Sequence, residues 1–147
     1  MSYIPKYIIK RIVPADALFN IDLNGDGKVD GTAVKYVNVV TPMTIPADTD
    51  VESIKKEFVG AWIDSEKYPL EKLMLIYEGK KYTLDNVKNI LGLTVPVGGI
   101  LYIVALKAGG TPVGMHKIKI CTQYKDQKNE YEVERELTED RKCVKFP

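Results

Sequence analysis

The sequence predicts an α+β fold in which one main helix lies across a mixed β-sheet and a C-terminal β-hairpin is added. Three observations carry this expectation. Residues 49–63 place Val51, Ile54, Phe58, Ala61 and Trp62 along one helical stripe, with Lys55, Lys56 and Glu57 on the wet side. Lys72–Tyr77 (KLMLIY) and Ile100–Leu106 (ILYIVAL) are short apolar runs bounded by turn residues, the pattern of strands. Finally, Ile118, Ile120, Thr122 and Tyr124 alternate with Lys117, Lys119, Cys121 and Gln123, while Tyr131, Val133 and Leu137 alternate with Glu130, Glu132, Glu134 and Glu136. Two alternating runs joined by KDQKN read as a hairpin, with Lys119 set near the glutamates across the pair.

Taken in order, Lys6–Val13 (KYIIKRIV) is rich in β-branched residues and reads as a first strand. Ala33–Val40 (AVKYVNVV) reads as its hairpin partner, and the long connection between them carries Asp22–Asp30. Pro42 and Pro46 exclude a central strand beyond it. Thr49 and Glu52 stand at the spacing of a capping box and open the helix. The turn after Lys72–Tyr77 is EGKK, and Thr83 starts a short helical turn through Leu84, Val87 and Ile90. Gly98-Gly99 turns the chain into Ile100–Leu106. In that strand Leu101, Ile103 and Ala105 share one face and Tyr102, Val104 and Leu106 the other. Leu73, Leu75 and Tyr77 likewise oppose Met74 and Ile76. Both strands are apolar on both faces, so both sheet faces should be covered.

The order of these segments resembles ubiquitin and the β-grasp family. LIYEGKKYTLDNVKNI is similar to a strand, Gly-Lys turn and short helix of that family. DTDVESIKKEFVG is similar to its main helix, and LYIVALKAGG to its last strand and tail. The resemblance runs from Lys6 to Gly110 and implies a ubiquitin-like β-grasp domain over 1–110, with 111–147 as a hairpin extension packed on it. It also implies that Ile76, Tyr102 and Val104 form a hydrophobic interaction patch, unless the added hairpin turns that patch into core. A ubiquitin-like modifier would end at Gly109-Gly110. Here Thr111-Pro112 and a strand-patterned segment follow, so the pair reads as a turn into the hairpin.

The most chemically pointed stretch is IDLNGDGKVDG, residues 21–31. Asp22, Asn24, Asp26 and Asp30 stand at positions one, three, five and nine of a calcium loop, Gly27 at position six permits the bend, and Lys28 offers its backbone carbonyl. A helix-loop-helix calcium site needs a bidentate Glu three residues after Asp30, where this chain has Ala33, so an EF-hand is excluded. The pattern resembles the D-x-N-x-D-G-x-x-D loops of calcium sites flanked by strands, as in integrin propellers. Asn24-Gly25 and Asp26-Gly27 are also favoured turn dipeptides, so an acidic turn is the competing reading. Three carboxylates crowded without a cation repel one another, which favours Ca²⁺ as a cofactor pinning the long connection.

Composition removes several function classes. Lys plus Arg (21) nearly balances Asp plus Glu (20), leaving a net charge of +1 and no field that would draw nucleic acid or an anionic membrane. The apolar runs are too short to span a bilayer, and Pro5, Lys6, Lys10 and Arg11 interrupt any signal-peptide core, which implies a cytoplasmic protein. Cys121, Cys143 and the single His116 fit no zinc spacing. Scarce Gln with abundant Ile, Lys and Tyr matches thermophile composition, where a Cys121–Cys143 pair would be tolerated. Ser2, Ser53 and Ser65 lie in no nucleophile motif, and Lys6, Lys10, Arg11 and Lys35 fit a small basic patch and solvated strand faces equally well.

These readings point to a non-enzymatic interaction or accessory module with another protein, or a second copy of itself, as partner. A multiprotein assembly and an intracellular filament system are the settings considered, and no residue selects between them. A calcium-binding regulatory or structural protein and a processed modifier are the alternatives.

Overall fold

The computed structural model describes residues 6–39, 42–45, 47, 48, 50, 52, 56, 58–124 and 127–145. Most of them belong to strands. Numbered in chain order, the first sheet runs β12 (Val144–Lys145), β1 (Leu18–Asp22), β2 (Gly31–Val37), β9 (Ile100–Leu106), β6 (Leu73–Tyr77), β7 (Lys80–Tyr82). A second sheet runs β11 (Gln127–Leu137), β10 (Gly114–Tyr124), β4 (Phe58–Ile63), β5 (Glu66–Tyr68). A small ribbon pairs β3 (Met43–Thr44) with β8 (Thr94–Val95). Every described pairing is antiparallel except β1 with β12.

The two large sheets meet face to face, because each buries one apolar side of its pleat against the other. Leu18 and Val34 of the first sheet pack with Ile118 and Leu137 of the second, under Ile12, Val13 and Ala17. Farther along, Leu73 and Ala105 meet Ala61, Ile63 and Tyr68, with Ile103 and Ile120 at the border. The expected strands at 72–77 and 100–106 are β6 and β9, and the expected C-terminal hairpin is β10–β11. Lys119 lies opposite Glu132 and pairs diagonally with Glu130 at 3.4 Å, as Lys117 does with Glu132 at 3.5 Å.

The fold is mostly β, which corrects the α+β, ubiquitin-like β-grasp expectation. Its overturning finding lies at residues 58–63: the C-terminal half of the expected main helix is strand β4, bonded to β10 on one side and β5 on the other. Phe58–Ile63 (FVGAWI) alternates as well as it cycles, and two partner strands decide between the periods by satisfying its backbone groups. Ala61 and Ile63 point into the core. Trp62 lies on the opposite face, half-buried, with Lys119 Nζ 4.4 Å and Lys67 Nζ 5.5 Å from its ring centroid. Thr49, Val51, Ile54, Lys55, Glu57 and the Phe58 side chain lie outside the described residues; Glu52 and Lys56 have helical backbone.

A second correction concerns the start. Lys6–Ile12 is helix α1, where a strand was expected. Ile8 and Ile12 are one turn apart and pack on the core, while Lys10 and Arg11 face solvent in the last turn, which suits the helix dipole. Tertiary burial overrides the β-branched propensity of the run. The strand that pairs with Gly31–Val37 is therefore Leu18–Asp22, and the connection is much shorter than the sequence suggests.

Gly109 and Gly110 form the turn that carries the chain from the first sheet toward the second, both at positive φ. At Gly110 an added Cβ would lie 2.6 Å from the Asn20 amide carbon and 2.7 Å from a Val29 methyl. Asn20 is the reason for that closeness. Its Nδ2 donates to Thr111 O (2.8 Å), and its Oδ1 accepts from Thr111 N (2.9 Å) and from Thr32 Oγ1 (3.0 Å).

Candidate metal centre

The loop between β1 and β2 is held in shape by its own acidic side chains. Asp22, the last residue of β1, is fully buried, and its Oδ1 and Oδ2 accept from the N–H groups of Gly25 (2.9 Å) and Gly27 (2.8 Å). Asn24 Oδ1 accepts from Asp26 N at 3.3 Å and Asp26 Oδ1 from Lys28 N at 2.9 Å. Asp30 Oδ2 reaches back to Leu23 N at 2.8 Å. Gly27 sits at φ 81°, a left-handed conformation that lets the chain fold over these acceptors. The far side is clamped to the end of β9: Lys107 N donates to Asp30 O (3.1 Å) and Gly109 N to Val29 O (3.0 Å).

This folding brings Asp22, Asp26 and Asp30 together. One carboxylate oxygen from each lies within 4.8 Å of the others, the spacing of ligands around one cation. Burial by itself would raise the Asp22 carboxyl. The N–H groups of Gly27, Gly25, Asn24 and Asp26 outweigh it and hold the carboxyl below its ordinary value, so the group stays ionised. An oxygen that accepts one N–H retains a second lone pair, so the turn hydrogen bonds and a metal contact are compatible. The carboxylate donor set of Asp22, Asp26 and Asp30 is all oxygen, which suits a hard cation such as Ca²⁺. Asn24 Oδ1 lies in the same loop, bonded to Asp26 N. Lys28 contributes its N–H to Asp26, and its carbonyl remains the expected fifth donor. Lys81 Nζ donates to Leu23 O at 3.1 Å, placing a cation beside the loop, and Cys143 Sγ stands 3.9 Å from Gly27 O.

The interaction patch expected from the sequence is brought together but sits largely inside. Ile76 lies opposite Tyr102 across β6–β9, and Val104 joins Ile76, Ile21 and Ala33 in one cluster. Ile76 is 2% and Val104 0% exposed; Tyr102 is half-buried. The two cysteines do not pair: Cys121 is buried and Cys143 exposed, both as free thiols.

Sequence reasoning missed one polar constellation. His116 Nδ1 bonds Asp64 Oδ2 at 2.8 Å, and its Nε2 bonds Pro112 O at 2.6 Å. Lys117 N adds a bond to Asp64 Oδ1 at 3.0 Å. His116 and then the Lys117 N–H hold the Asp64 carboxyl below its ordinary value. A lone histidine far along the chain from its aspartate leaves no spacing signal. The pair fastens the β4–β5 turn to the start of β10.

No helix among the described residues is long and apolar enough to cross a membrane. No protein-family model and no curated protein matches the chain.

Proposed function

We propose that this chain is a non-enzymatic, calcium-binding module in which the ion has a structural role at the β1–β2 connection. The observation that carries the reading is the convergence of Asp22, Asp26 and Asp30, with a ligand atom of each within 4.8 Å of the others. The ligand set is Asp22, Asn24, Asp26 and Asp30 through side chains and Lys28 through its carbonyl. Three carboxylates against one divalent ion leave a site charge near −1, which favours binding. Asp22 ends a core strand and Asp30 is clamped to β9 by Lys107 N. An ion there fastens the β1–β2 connection beside the end of β9. Ca²⁺ is preferred over Mg²⁺ because the loop offers five protein oxygens, whereas Mg²⁺ keeps several waters and takes one or two carboxylates.

Without a position-twelve glutamate the affinity belongs with the weak calcium modules, at about 10⁻⁵ to 10⁻³ M. At a hundredfold excess over the dissociation constant, such binding stabilises the fold by about 2.7 kcal/mol, or about 5–10 °C in melting temperature for a chain of this size. Differential scanning calorimetry on metal-stripped protein, with CaCl₂ and with chelator, tests this. The shift should vanish in Asp26→Ala. Superimposable wild-type curves in the two conditions reduce the loop to an acidic turn.

A further inference from the structure

A second candidate site lies on the face of the first sheet that points away from the second sheet. Phe19 and Ile21 of β1, Ile76 of β6, Tyr102 of β9 and Val144 of β12 line a cleft of about 350 Å³. Phe19 and Tyr102 meet edge to face, with centroids 5.8 Å apart and planes at 79°, which gives the cleft a rigid aromatic wall. The volume falls at the small end of the range for ligand pockets.

The rim is charged with one sign in excess. Among the described residues, Lys35, Arg141 and Lys145 stand at the cleft against one acid, Asp16. Arg141 is fixed by neutral acceptors, with Nε on Thr138 Oγ1 at 2.9 Å and Nη1 on Leu18 O at 3.2 Å. Neither Lys35 nor Lys145 has an anionic partner among the described residues. An apolar floor with unpaired ammonium groups at its edge matches one ligand chemistry: an apolar body ending in a single negative charge. Asp16 disfavours a polyanion by adding a like charge at the rim.

We propose that this cleft binds a small amphipathic carboxylate, its hydrocarbon or aryl body over Phe19, Ile21, Ile76, Tyr102 and Val144 and its head group between Lys35 and Lys145. The body covers the half-buried Phe19, Tyr102 and Val144, beneath which Ile21 and Ile76 are already buried, and the carboxylate takes charge-assisted hydrogen bonds from the ammonium groups. Ile21 precedes Asp22 in β1 and Lys145 is the partner of Asp22 across β1–β12, so the cleft adjoins the calcium loop, and the test is run in chelator to separate the two.

Isothermal titration of the whole chain with decanoate and decanol, in chelator, tests the assignment, together with amide-shift mapping by NMR. Decanoate should bind saturably and perturb Phe19, Lys35, Tyr102 and Lys145, with decanol at least about tenfold weaker. The double variant Lys35→Glu/Lys145→Glu should lose decanoate affinity by about tenfold or more while keeping its decanol affinity. Should that variant fold poorly, Lys35→Gln/Lys145→Gln removes the charges without reversing them and must show the same direction. The proposal is overturned by the absence of saturable decanoate binding, by equal binding of the alcohol and the acid, by charge variants that bind as wild type, or by shifts clustered elsewhere.

Discussion

Replacing Asn20 by alanine tests how the chain is delivered from one sheet to the other. Asn20 is 3% exposed and uses its side-chain amide for three hydrogen bonds to Thr32 and Thr111. Removing it strands the N–H and C=O of Thr111 in a buried site. The Thr32 hydroxyl is less affected, because it keeps Thr111 Oγ1 at 2.6 Å. Each stranded buried group costs about 1–3 kcal/mol, so Asn20→Ala should lose about 3–5 kcal/mol. That is a large share of the roughly 5–15 kcal/mol that holds a domain folded. Thr32→Val should lose only about 1–2 kcal/mol, since Asn20 and Thr111 remain paired through the backbone bonds. Urea denaturation followed by far-UV circular dichroism measures both, with the slope against urea checked for constancy. A loss under about 1 kcal/mol for Asn20→Ala would mean that water replaces the amide. The network would then not be what closes the Gly109–Gly110 turn.

Leu137 is fully buried between the sheets with Leu18, Val34 and Ile118, so Leu137→Ala should lose about 2–5 kcal/mol by the same urea assay. A loss in the range of a surface site would contradict the face-to-face packing. Acid should weaken the Asp64–His116 fastening. The Asp64 carboxyl is depressed in the fold by His116 and then by Lys117 N–H, so its contribution is complete above the unfolded value near pH 4 and fades as pH falls through the lower folded value. Wild type should therefore lose stability relative to Asp64→Asn only below about pH 4. A difference between the two that stays flat down to pH 2 would show that Asp64 is not depressed.

What could be read from the chain alone was whatever is decided within a few residues. β6, β9 and the β10–β11 hairpin follow from alternation between turn signals. The Thr83 start of Leu84–Ile90 follows from its cap, in which Thr83 N bonds Asn86 Oδ1 at 2.6 Å. The Asp22–Asp30 loop is legible for the same reason: its carboxylates sit on one turn, so their spacing in sequence sets their convergence. Lys6–Ile12 and Phe58–Ile63 were decided elsewhere. Each run carries both periods, and the choice fell to what lies beside it: a core that accepts Ile8 and Ile12 from one side, and two strands that bond Phe58–Ile63 from both. The buried state of Ile76 and Val104, the Asn20–Thr111 bonds and the Asp64–His116 pair join residues far apart in the chain. Nothing local encodes them, because the free energy of each arises only when the sheets bring the partners together and exclude water. The cleft under Lys35 and Lys145 belongs with these, assembled from strands β1, β2, β6, β9 and β12, whose order in the sheet differs from their order in the chain.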